Sequence, residues 1–188
     1  KAEIARMQSM VREALGAGAI GVSTGLYYEP AIAAPTEEVI EICRPLKENG
    51  GLYCTHMRNE AEGVIDSLEE TFRIGREVGA PVIISHHKVV GLPNHGRSRE
   101  TLALIADRMK SQSIGRDCYP YCASSTILSA DRAAIASKVL VTWSKPHPEY
   151  SGMALDEIEP GRPRAETIAA LLPAGAIYFS MEESDVQS

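Results

Sequence analysis

Two histidines carry the chemistry that this sequence offers. His56 closes the uncharged run Gly51-Leu52-Tyr53-Cys54-Thr55, and His86 closes Pro81-Val82-Ile83-Ile84-Ser85. An imidazole at such a position can hold a metal or move a proton, although a lone strand-end histidine is ordinarily a hydrogen-bonded structural residue. Two of them thirty residues apart suit the C-terminal ends of neighbouring parallel strands, where α/β folds place their active sites. There they could share a metal ion. A catalytic zinc takes about three protein ligands and a water, and this sequence offers two good ones. His87 points away from His86 if the strand continues, and His95 and His147 stand in loop-like sequence.

The residues after each histidine extend the candidate site. Lys88 has the facing parity of His86, so it reads either as a solvated lysine or as a point charge for a substrate carboxylate. Arg58 stands in the same relation to His56, and with Asn59 and Glu60 beside it an ion pair at the start of the next helix is the alternative. Tyr28, Tyr119 and Ser125 follow strand ends in turn-rich sequence, as substrate contacts or as ordinary loop packing. Gly21-Val22-Ser23-Thr24-Gly25 matches the nucleophile elbow Gly-x-Ser-x-Gly, but that motif needs a strand running straight into a helix. Leu26-Tyr27-Tyr28-Glu29-Pro30 cannot begin one, which leaves a serine hydrolase using Ser23 as the second reading.

The elements that must position these residues follow a regular beat. Apolar stripes predict helices over 3–16, from Thr36 to Asn49 with a kink at Pro45, from Asn59-x-x-Glu62 to Gly79, and from Ser98 to Met109. Between them lie short apolar runs centred near Ile20, Tyr53, Ile83 and Arg116, read as strands buried on both faces. Strands alternating with helices at about thirty to thirty-three residues mean parallel βα units. No Gly-x-Gly-x-x-Gly follows any of the strands, and chemistry-bearing residues end several of them in succession. Both features favour a closed TIM-type (β/α)8 barrel over an open doubly wound sheet. Four βα units are about half of one. Residues 1–122 are therefore expected to be a partial barrel. Residues 123–180 are expected to be an insertion near the active-site mouth, with a short helix near 165–171 and a returning strand at Ala176-Ile177-Tyr178-Phe179. Residues 181–188 are expected to start the return to the barrel.

Composition narrows the class. The 188 residues are 44% hydrophobic and 23% charged, which is ordinary globular composition. A net charge of -6 with scattered Lys and Arg argues against nucleic-acid and anionic-membrane surfaces. The apolar runs fall well short of the ~20 residues of a membrane span. The four cysteines match no disulfide-scaffold or zinc-finger spacing. Cys118-x-x-x-Cys122 makes at most half a metal site, and free thiols in a reducing cytoplasm are expected. The chain opens inside a helical pattern with no initiator methionine, as an internal segment of a longer protein would.

Several of these stretches, taken together, resemble one family. Gly18-Ala19-Ile20-Gly21-Val22-Ser23-Thr24-Gly25-Leu26-Tyr27-Tyr28, Thr55-His56-Met57-Arg58, Ser85-His86-His87-Lys88, Tyr119-Pro120-Tyr121-x-x-Ser124-Ser125, Thr142-Trp143-Ser144 and Pro173-Ala174-Gly175-Ala176-Ile177-Tyr178-Phe179 are similar to the N-acyl-D-amino-acid deacylases (D-aminoacylases) of the metal-dependent amidohydrolase superfamily. The resemblance implies a zinc hydrolase on a (β/α)8 barrel that cleaves the amide of N-acyl-D-amino acids. It further implies that His56 and His86 bind the metal and that Lys88 anchors the substrate carboxylate. Tyr28, Tyr119 and Ser125 become further substrate contacts, and Arg58 matches the motif without an assigned role. The family's His-x-His pair, its metal-binding Cys and its catalytic Asp have no counterpart here, so the resemblance places them in the remainder of the barrel outside this chain. An inactive fragment is the corresponding expectation for these residues alone.

Overall fold

The computed structural model describes residues 2–188, which divide into two compact units. The first comprises the residues up to Lys88 together with Ser98–Tyr119, and the second comprises Val89–Arg97 and Pro120–Ser188.

The first unit alternates helices and strands: α1 (Ala2–Gly16), β1 (Gly21–Gly25), α2 (Thr36–Cys43), α3 (Pro45–Asn49), β2 (Leu52–His56), α4 (Val64–Val78), β3 (Val82–Ile84), α5 (Ser98–Arg108) and β4 (Ile114–Arg116). The strands form one sheet in the order β1-β2-β3-β4, every pair parallel. Each strand lies beside the next in sequence, so the sheet has no switch point of the kind that marks a doubly wound fold. The helix expected to kink at Pro45 is broken there instead. Proline has no N–H to continue the ladder, and it stands as the first residue of α3.

The core of this unit lies between the sheet and its helices. Helix α4 buries Val64, Leu68, Thr71, Phe72, Gly75 and Val78, a stripe at helical spacing. Gly75 permits the close approach, because a Cβ there would collide with the Val82 side chain. Gly79, at φ 72, ends the helix in the left-handed conformation and donates its N–H to the Gly75 carbonyl at 2.8 Å. The strands are not buried on both faces as expected. Tyr53 and Thr55 of β2, and Val82 and Ile84 of β3, are buried, whereas Leu52, Cys54, His56 and Ile83 are partly exposed. The alternation is that of a sheet with one covered face. His56 lies on the more open face.

The second unit contains β5 (Ala123–Ile127), α6 (Ala130–Ala134), β6 (Lys138–Ser144), α7 (Arg164–Leu171), β7 (Ala174–Phe179) and α8 (Glu183–Val186). Its strands form an antiparallel sheet with β7 in the centre, between β5 and β6. Helix α7 matches the short helix expected near 165–171, and β7 contains the expected strand at Ala176–Phe179. The sequence pattern does not predict strands β5 and β6. Val139, Val141 and Tyr178 of the sheet meet Leu155, Ile168 and Leu171 in a separate apolar core. The Tyr178 hydroxyl accepts from the Ser129 N–H at 2.9 Å and donates to the Ile127 carbonyl at 2.8 Å. Among the described residues no helix is long and apolar enough to cross a membrane.

Candidate functional site

The backbone brings the two histidines together by different means. His56 is the last residue of β2 and pairs in register with Gly25. A hydroxyl network behind the strand supports it: Thr24 Oγ1 stands 2.7 Å from Tyr53 Oη and 2.9 Å from Thr55 Oγ1. His86 lies beyond β3, which ends at Ile84. Its φ of 41 is left-handed, a region that non-glycine residues rarely occupy. Asp117, just past β4, holds this turn: Oδ1 accepts the His86 N–H at 2.6 Å, and the Asp117 carbonyl accepts the His87 N–H at 2.8 Å. The extended strand assumed for the facing parity of His87 and Lys88 is therefore not formed.

The turn aims His86 at His56. His56 Nδ1 and His86 Nε2 stand 2.9 Å apart, with the rings edge to face at 4.6 Å between centroids. Two imidazole nitrogens this close either share one proton or direct both lone pairs at one cation. Behind them lies Glu60, a residue the sequence suggested only as a partner for Arg58. Its carboxylate is buried, with Oε1 3.2 Å from His86 Nδ1 and Oε2 3.7 Å from His56 Nε2. Lys88, whose side chain is 8% exposed, donates to Glu60 Oε1 at 2.6 Å and lies 2.7 Å from His86 Nδ1. It also donates to the His86 carbonyl at 3.1 Å. Burial by itself would raise the Glu60 pKa, but the hydrogen bond with His86 and the charges of Lys88 and His56 outweigh it and hold the carboxyl below its ordinary range.

The other candidates fall into three groups. The Tyr28 ring packs on His56 at 5.0 Å, with Tyr27 at 5.8 Å, and the Tyr119 ring lies 5.6 Å from Lys88 Nζ, within cation–π range. Arg58 is turned elsewhere: Nε and Nη2 donate to the two oxygens of Glu70 at 3.0 and 2.8 Å, while Nη1 and Nη2 donate to the carbonyls of Ile32 and Ala34. The ion pair weighed for Arg58 is thus present, with Glu70 in place of Glu60. Ser125 belongs to the second unit, on β5 opposite Ile177.

The other candidate groups of the sequence lack the settings their chemistry needs. Strand β1 runs into a turn and a 3-10 helix at Ala31–Ala33, so Ser23 is not on a nucleophile elbow. Burial pushes His87 down to about 4, which keeps it neutral. The four cysteines are free thiols; burial pushes Cys43 up to about 12, and Cys122 Sγ donates to Glu183 at 2.9 Å.

Among the described residues His56, Glu60 and His86 form the cluster of potential metal ligands, with their ligand atoms within 4.8 Å of one another. Two imidazoles are donors suited to zinc. The facing ring nitrogens, His56 Nδ1 and His86 Nε2, are the atoms that could hold such an ion, and Glu60 lies against the opposite nitrogen of each ring.

No protein-family model matches the chain. Individual relatives do. A D-aminoacylase of Alcaligenes xylosoxydans xylosoxydans is 56% identical over 187 residues, which cover 98% of this chain and 39% of the relative. A crystal structure of D-aminoacylase, described as defining a novel subset of amidohydrolases, superimposes with a TM-score of 0.93 at 56% identity, covering 98% of this chain and 40% of that one. The N-acyl-D-glutamate deacylase of Bordetella bronchiseptica, solved with zinc and a phosphonate mimic of the tetrahedral intermediate, gives a TM-score of 0.94 at 43% identity, over 99% of this chain and 40% of that one. The chain thus spans about two fifths of the length of the proteins it matches, and by sequence and structure together it belongs to the N-acyl-D-amino-acid deacylase family of amidohydrolases.

Proposed function

We propose that the protein containing this chain hydrolyses the amide of N-acyl-D-amino acids, consuming water and releasing a carboxylate and a free D-amino acid, with zinc held by His56 and His86. The sheet of the first unit is read as four of the eight strands of a (β/α)8 barrel. The observation that carries this reading is the convergence of His56 Nδ1 and His86 Nε2 at 2.9 Å, on adjacent parallel strand ends, with the ammonium of Lys88 behind them. The choice of zinc is supported by a relative of 43% identity, the N-acyl-D-glutamate deacylase, having been solved with zinc.

A zinc ion in this position supplies a Lewis acid for the scissile carbonyl and lowers the pKa of water toward ~7. The chain's own residues bind and orient. Lys88 presents a fixed positive charge to the substrate carboxylate, and fixing that end decides which stereoisomer directs its acyl group to the histidines. Tyr28 and Tyr119 line the same region through His56 and Lys88. Ser125 is proposed as a further contact on the strength of the family resemblance. The general base and the remaining ligands belong to segments outside this chain.

The test is turnover by the full-length protein. N-acetyl-D-amino acids should be cleaved in preference to their L isomers, chelation should stop the reaction, and zinc should restore it. Lys88→Met should raise KM and relax the chiral preference with zinc still bound. Chelator-resistant hydrolysis with fluorophosphonate labelling of Ser23 would overturn the reading in favour of a serine hydrolase.

A further inference from the structure

We infer that Glu60 is a positioning residue of this site, a buried carboxylate that sets His86 and Lys88 at once. The inference rests on the reading of His56 and His86 as the metal-holding pair, and it assigns a role to a residue that reading does not use.

The geometry separates near and far nitrogens. His56 Nδ1 and His86 Nε2 face each other at 2.9 Å, and the opposite nitrogen of each ring, His56 Nε2 and His86 Nδ1, is turned toward Glu60 at 3.7 and 3.2 Å. A histidine binds a metal through the nitrogen without a proton, so the other nitrogen must carry the N–H and give it to an acceptor. For His86 two groups compete at Nδ1. Lys88 Nζ at 2.7 Å is a donor and favours the tautomer with the proton on Nε2, which closes that nitrogen to a metal. Glu60 Oε1 at 3.2 Å is an acceptor and favours the proton on Nδ1, which opens it. Glu60 also holds the Lys88 ammonium at 2.6 Å. The carboxylate therefore does two things: it selects the metal-binding tautomer of His86, and it draws Lys88 into a fixed place. A buried carboxylate that meets an imidazole and an ammonium on one oxygen is a strong positional constraint, since both contacts restrict Oε1.

The test uses the full-length enzyme. Glu60→Gln keeps the side-chain shape, and Glu60→Gln/Lys88→Met also removes the ammonium that the first change leaves buried, so one variant remains soluble if the other misfolds. Zinc affinity is measured by chelator competition, and the ring tautomers by ¹⁵N spectra of histidine-labelled protein. Removing an outer carboxylate of this kind should weaken zinc roughly 10–100-fold. That loss should persist in the double variant relative to Lys88→Met alone, and the His86 signals should shift away from a pure Nδ1–H form. Wild-type zinc affinity in Glu60→Gln, or affinity restored to that of Lys88→Met in the double variant, would show that Glu60 only neutralises Lys88. His56→Ala and His86→Ala are the controls. If they retain zinc, the metal-site reading itself fails, whatever Glu60 does.

Discussion

The strand ends at His56 and His86 share one sequence figure, an apolar run, a histidine, and a cation two residues later. They fold it differently. At β2 the strand itself carries His56 in register with its neighbour, and Arg58 turns into the protein body, clamped to Glu70 and two loop carbonyls. At β3 the strand stops two residues early, Asp117 from beyond the next strand fixes His86 in a left-handed turn, and Lys88 bends back onto Glu60 and His86. Identical spacing thus yields one cation paired away from the histidines and one paired beside them. The acceptors decide which. A guanidinium satisfies a planar fork of carboxylate and carbonyl oxygens, whereas an ammonium is a compact charge that one carboxylate oxygen can hold beside a ring.

Loss of either histidine is the largest change expected and the point at which the two ends should behave alike. His56→Ala and His86→Ala should each abolish zinc binding and lower turnover by on the order of 10²–10³-fold. Unequal loss, read by metal analysis and kinetics of the full-length protein, would show that only one strand end holds the ion. Next in size is the contrast between the cations. Arg58→Met leaves the half-buried Glu70 without its ion pair and should lower unfolding stability by about 2 kcal/mol in urea denaturation. Its KM should stay within about twofold of the parent, while Lys88→Met raises KM. A large KM effect at Arg58 would return it to the substrate site. The smallest effect concerns the turn. Asp117→Asn weakens the hold on the His86 backbone and should reduce zinc affinity about tenfold, with little change in melting temperature. No change in affinity would mean that the turn is set by β3 and β4 without the Asp117 side chain.

The two units differ in how far their sequences could be read. In the first, strands recur with helices between them, and the periodicities of 3.6 and 2 are local properties of the chain. In the second, β5 and β6 follow no such beat, and their pairing with β7 joins residues up to 56 positions apart, Ala123 with Phe179. Nothing local announces such an antiparallel sheet. Within the site the same division holds. His56 and His86 were visible because each breaks an apolar run. Glu60 was not, because its meaning lies in side chains twenty-six and twenty-eight positions away, His86 and Lys88. The His56-x-x-x-Glu60 spacing is a signal that could have pointed to it, but the nearby Arg58 offered a simpler partner.

By itself the sequence determined the alternation of strands and helices, the parallel order, the two histidines and the family, since these rest on local pattern and on residue identity. Tertiary structure decided that β3 ends before His86, that Arg58 serves Glu70 and Lys88 serves Glu60, and that one buried carboxylate ties the site together. Those outcomes depend on which acceptors the folded backbone carries to within about 3 Å of each donor. Spacing along the chain does not encode that distance.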